Sequence, residues 1–188
     1  MQLPHSVYAP VWRHLLWLAL LVSASVAFSL GFACAVPLAA FAAAAALTLS
    51  RADALALIFL VWLANQLVGF SVLGYPWTVS TFAWGVVLGV VAVLATLASQ
   101  WTAGRLAEAT RAFNFAATFV VAFAVYEAAL LLVSATLLGG TEIFTAEIQG
   151  RILAINAAAF VGLLALNRLA ISAGLVANRS VLLTERHA

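Results

Sequence analysis

Two stretches of this chain, residues 14–50 and 54–104, contain no Asp, Glu, Lys or Arg. A membrane-spanning helix needs about 20 consecutive, mostly apolar residues, whereas soluble domains carry charge at roughly a quarter of their positions. Here 7 % of the 188 residues are charged and 66 % are hydrophobic. The chain therefore reads as an all-α integral membrane protein, one membrane domain over 1–188 with short tails at 1–12 and 175–188. Its first apolar run leads directly into further apolar segments without a convincing cleavage site, so it reads as a mature helix and not as a signal peptide.

Glycine, proline and charge punctuate the apolar runs, and the segments between them predict a compact six-helix bundle. The helices fall at about 13–32, 35–49, 52–71, 79–101, 113–138 and 151–174. The second is short, mostly alanine, and begins near Pro37, which a first helical turn tolerates. It is expected to tilt, to pack inside the bundle or to stop short of a full crossing. In a six-crossing layout Arg13, Arg51, Arg105, Arg111, Arg168, Arg179 and Arg186 fall on one side and Arg151 alone on the other. Basic residues mark the cytoplasmic side, so both termini are expected in the cytoplasm. A five-helix alternative, with the alanine run as a re-entrant piece, puts the termini on opposite sides and spoils this partition.

Several functions lack sequence support. A net charge of +2, evenly scattered, does not fit nucleic-acid binding. One cysteine, Cys34, leaves no internal disulfide and no multi-cysteine metal site. No HExxH, paired-Cys, Walker A, GxSxG or GxGxxG pattern occurs. His5, His14 and His187 all fall on the expected cytoplasmic side, which argues against haem carriage and an outward histidine metal site. No cofactor is implied and the chain is not expected to be an enzyme. Two related halves, the mark of an inverted-repeat transporter, are not visible.

The polar residues inside the apolar segments carry the functional argument. At about 1.5 Å of rise per residue, Asn65, Gln66 and Glu127 come about 20 Å up from the cytoplasmic surface, and Trp84 and Asn156 come about 8 Å below the outer one. Four helices thus deliver polar or amphipathic groups to one slab, with Tyr75, Trp77 and Cys34 at its outer rim. Unpartnered amides are costly in lipid, so Asn65 and Gln66 must face the bundle interior, each other or a ligand. The uncharged turn above them, Gly74-Tyr75-Pro76-Trp77, suits a lid over an outward-opening pocket. Plainer readings stand beside each residue: interhelical hydrogen-bond glue for Asn65, Gln66 and Asn156, an interfacial aromatic belt for Tyr75, Trp77 and Trp84, and a small buried hydrophobe for Cys34. An intramembrane acid such as Glu127 is a functional candidate by default, through a proton or a cationic group. Ala19, Ser23, Ala27 and Gly31 form a small-residue stripe on the first helix, and Gly85 with Gly89 forms a GxxxG. Both patterns let helices approach closely, internally or toward a partner.

A six-helix chain of this length, with a small-residue stripe in helix one, short outer loops and polar groups gathered under the outer face, resembles the S-components of energy-coupling-factor (ECF) vitamin transporters. The stretches "GFACAVPLAAFA" and "NQLVGFSVLGYPWT" are similar to the solitary cobalamin-uptake type within that group. The resemblance implies a bacterial inner-membrane protein that binds a vitamin or related small molecule, cobalamin first. Asn65, Gln66, Tyr75, Trp77, Trp84, Glu127 and Asn156 would contact the substrate, and Cys34 would be a cobalt ligand. It also implies docking of Ala19, Ser23 and Ala27 on a coupling subunit that works with two ATPases, or uptake without that module. Nickel- and cobalt-binding S-components carry histidine beside the N-terminal methionine, whereas this chain has Gln2. The alternative function is a structural or assembly subunit of a larger membrane complex.

Overall fold

The computed structural model describes residues 11–31 and 36–176. These form six α-helices: α1 Val11–Gly31, α2 Leu38–Thr48, α3 Arg51–Ser71, α4 Val79–Arg105, α5 Arg111–Val133 and α6 Ala146–Ser172. No strand occurs among the described residues. A π-helical turn, Ser134–Leu138, prolongs α5, and a short 3₁₀ turn, Thr141–Ile143, leads toward α6. Apart from α2, the helices are long and apolar enough to cross a membrane, α5 together with its π-turn. The protein is an all-α membrane protein.

Local chemistry fixes the starts of α3, α4 and α6. Ser50, Thr78 and Thr145 each accept a hydrogen bond from the backbone N–H three residues on, at Asp53, Thr81 and Ile148. Such caps satisfy a donor that the first turn otherwise leaves open. Asp53 and Glu147 add negative charge to the first turns of α3 and α6, where the helix dipole favours it. The caps also explain why α6 begins five residues before the expected Arg151. Thr145 starts the helix and the charges of its first turns lie within it, whereas the sequence reading treated them as loop.

α2 differs from the rest. Eleven residues rise about 16 Å, half of a hydrocarbon core of about 30 Å, and every residue from Leu38 to Ala46 is buried. Its neighbours are α3, α4, α5 and α6, and Phe41 meets Phe28 of α1 edge-on. Lipid gives no hydrophobic drive between helices, so close backbone approach has to hold them together. The alanines of α2 provide it on all sides. Around this axis α1 packs on α3, α3 on α4, α4 on α5 and α5 on α6, and the Arg13 guanidinium closes the ring by donating to the Gly174 carbonyl at the end of α6.

Two contacts fix the direction of α1 against α3. His14 pairs with Asp53 near their N-terminal ends, at 3.2 Å, and Ser29 meets Asn65 toward their C-terminal ends. The two helices are parallel. Gln100 donates to the Arg51 carbonyl and Asn114 to the Leu106 carbonyl, which gathers Arg13, Arg51, Arg105 and Arg111 at one end. Arg168 lies near the same end in the last turns of α6, and Arg151 lies toward the opposite end, near its start.

Candidate functional site

α3 builds the site from one face. Ala54, Leu57, Ile58, Val61, Asn65 and Gly69 are its buried positions, spaced as a helix spaces one stripe. Over the first four the stripe is apolar and closely packed, and at Asn65 it turns polar. A cavity of about 140 Å³ opens there, between α1, the start of α2, α3, α4 and α5 at the end away from the arginine cluster. Its polar lining is Ser29, Asn65, Gln66, Tyr75, Thr81 and Tyr126, with Trp62 and Trp84 as the large rings. None of the lining residues is charged.

The polar groups divide into those already occupied and those free. Asn65 donates to the Val61 carbonyl at 2.7 Å, and its Oδ1 meets the Ser29 hydroxyl. Ser29 also lies 2.9 Å from the Ser25 carbonyl; its single proton serves one of the two acceptors. Asn65 thus ties α3 to α1. Gln66 and Tyr126 line the cavity and make no side-chain hydrogen bond within the described residues. An amide with two donors and an acceptor, lining the same cavity as a phenol that both donates and accepts, is the cavity's unspent hydrogen-bonding capacity among the described residues.

The turn after α3 forms the cavity's outer wall. Gly74 takes φ +69°, a conformation glycine adopts without penalty. It lets the chain double back so that the Tyr75 N–H donates to the Gly69 carbonyl at 3.0 Å. The Tyr75 ring then lies flat on Gly69, where a Cβ would collide with it. Tyr75 and Leu73 both reach the cavity.

The structure brings Asn65, Gln66, Tyr75 and Trp84 together, as their depth implied. Trp77, Glu127 and Asn156 do not line this cavity. Trp77 is 75 % exposed and joins Phe70 and Phe82 in an outer aromatic cluster, with ring centroids 4.8 to 5.8 Å apart. Glu127 follows Tyr126 by one residue, a turn of about 100° around the helix, and has Gln149 of α6 beside it. Its Oε1 is buried without a hydrogen-bond partner among the described residues. Asn156 is buried between helices, donating to the Ile152 carbonyl and accepting the Ala40 N–H of α2 at 3.1 Å. That second bond matters because Pro37, at the start of α2, offers no side-chain cap. Asn156 caps α2 from another helix.

Cys34 lies outside the described residues. Ala19, Ser23, Ala27 and Gly31 face outward on α1, opposite its buried stripe of Trp17, Leu21, Ser25 and Ser29. Gly85 and Gly89 serve internal packing: the Trp62 indole donates to the Gly85 carbonyl at 2.7 Å and lies where a Cβ on Gly89 would be, and the Gln66 amide lies against Gly85.

Ser29, Trp62, Thr81 and Tyr126 were not expected in the site. Trp62 was legible, since it lies three and four residues before Asn65 and Gln66 and so shares their side of α3. Tyr126 was overshadowed by the charge of its neighbour. No known protein family, curated protein or solved structure matches this chain. These comparisons lend no support to a likeness to S-components.

Proposed function

We propose that this chain is a substrate-binding component for uptake of a small molecule across a bacterial inner membrane, with the cavity beside Gln66 as its binding site. The observation that carries the reading is the pairing of unspent capacity: Gln66 and Tyr126 make no side-chain hydrogen bond among the described residues and line one uncharged cavity under the Tyr75 turn. Gln66 is half-buried and Tyr126 buried, and polar groups that open onto a cavity leave their hydrogen bonds for a ligand to make. Trp62 and Trp84 add ring surface for stacking.

The parallel α1 and α3 favour six crossings, with α2 as part of the second. The arginine cluster supports a cytoplasmic location for both termini under the positive-inside rule, with the cavity then opening outward. The exposed stripe of Ala19, Ser23 and Ala27 gives α1 a surface that another helix can approach closely, as docking on an ECF coupling subunit and its ATPases requires. A cavity near 150 Å³ holds a benzene-sized molecule, so the volume favours a one-ring, uncharged, vitamin-like substrate. Cobalamin is far larger and would need the Tyr75 turn displaced; Cys34 would be its cobalt ligand.

Native mass spectrometry of the gently solubilised protein, from cells grown with a vitamin mixture, tests the reading. A bound small molecule that is lost in Gln66→Leu is the expected result. An empty protein carrying a second polypeptide would favour the assembly-subunit reading, which the same outward stripe supports. Ser23→Leu should then abolish copurification, while Gln66→Leu leaves it intact.

A further inference from the structure

The cavity does not stand alone. On the lipid-facing side of α3 and α4 an apolar groove runs in two sections of about 390 and 320 Å³, which meet at Trp62 and Val86. The section nearer the outer end is walled by Phe70, Trp77 and Phe82, and the deeper one by Phe59, Val90 and Leu94. From Ser71 to Ile58 the groove follows α3 for about 20 Å. Trp62, Gln66 and Gly85 belong to the linings of both the cavity and the outer section. What divides polar space from lipid-facing space is therefore two side chains and a glycine that adds none.

We propose that cavity and groove are two parts of one site for a single amphiphilic molecule, with a compact uncharged head in the cavity and an apolar tail in the α3–α4 groove. This rests on the reading of the cavity as a ligand site and specifies its substrate class. The chemistry of the two linings commits the occupant. The cavity offers amide, hydroxyl and phenol groups and no charge, so a neutral hydrogen-bonding head fits and an ionised one is penalised by desolvation. The groove offers almost only apolar surface and is the larger space. The wall at Gly85 is closed by Gln66, whose Oε1 would lie 2.6 Å from a Cβ there, so the two spaces join when the Gln66 amide swings aside. A membrane-dissolved ligand reaches the head site sideways from the bilayer, past the Gln66 amide.

The test uses the full chain in lipid nanodiscs and follows tryptophan fluorescence, because Trp62, Trp77 and Trp84 border the two spaces. The probe is a monoacylglycerol brominated at the chain end, compared with a fatty acid brominated at the same place. Saturable quenching by the monoacylglycerol is expected, with the ionised acid weaker by roughly tenfold or more. Gln66→Leu removes the head contact, and Val86→Phe fills the groove from an exposed position without touching the core. Each should weaken binding roughly tenfold. Quenching that rises linearly, as simple partitioning does, overturns the proposal. If only Gln66→Leu weakens binding, the two-part site falls while the cavity stands as a ligand site. If neither variant matters, both readings fall.

Discussion

The two halves of α3's inner face meet the same neighbours in opposite ways. Toward the arginine end Ala54, Leu57, Ile58 and Val61 press against a bundle centred on the alanines of α2 and on Ala92 and Ala95 of α4, nearly all inaccessible to solvent. One turn further on, Asn65 and Gln66 stand beside a cavity. The backbone and the periodicity are unchanged across that boundary. Small side chains let helices touch, whereas long polar ones must reach their partners and hold the helices apart, so a change of residue type along one stripe is enough to make a hollow.

The sharpest way to break this contrast is to add volume to each half. Ala42 is fully buried in α2, so Ala42→Leu should destabilise the protein by about 3 kcal/mol, read as a lowered midpoint of denaturant unfolding in detergent. An unchanged midpoint would mean that the alanine half is loosely packed. Asn156→Leu comes next, because it strands the Ala40 N–H; the expected loss is about 2 kcal/mol, with faster hydrogen exchange confined to the first turn of α2. In the hollow half, Leu88→Phe adds its atoms to the cavity margin. Its cost should stay below about 1 kcal/mol, since overpacking penalties apply to filled space, while ligand binding is lost. The smallest effect belongs to His14→Asn, which removes one exposed ion pair with Asp53; about 0.5 kcal/mol or less is expected from the same unfolding curve.

Much of the dense half was legible in the sequence. Runs without charge gave the helices, and Pro37 with the alanine run marked α2 as short and inward. The hollow half was legible in depth and not in direction. Asn65, Gln66, Tyr75 and Trp84 converge as their heights implied, yet Glu127 and Asn156, at similar heights, serve other neighbours. Height follows from counting residues, but the face a residue presents depends on which helices surround it. That order comes from packing, and here it depends on a central helix whose neighbours a sequence pattern does not specify. Even the glycines of α4 illustrate this, since Gly85xxxGly89 reads as a contact motif and turns out to seat Trp62 and Gln66 of the adjoining helix.

The bond from Asn156 to Ala40 has a consequence for biogenesis. A helix emerging from the translocation machinery with an uncapped start and only eleven residues leaves backbone donors of its first turn open. The group that closes one of them is made more than a hundred residues later, in the last helix. The second helix therefore has no finished resting place until α6 has been made. A chain released after Leu138 should show α2 amides exchanging as fast as those of an unfolded segment, and supplying residues 139–188 as a separate peptide should slow them.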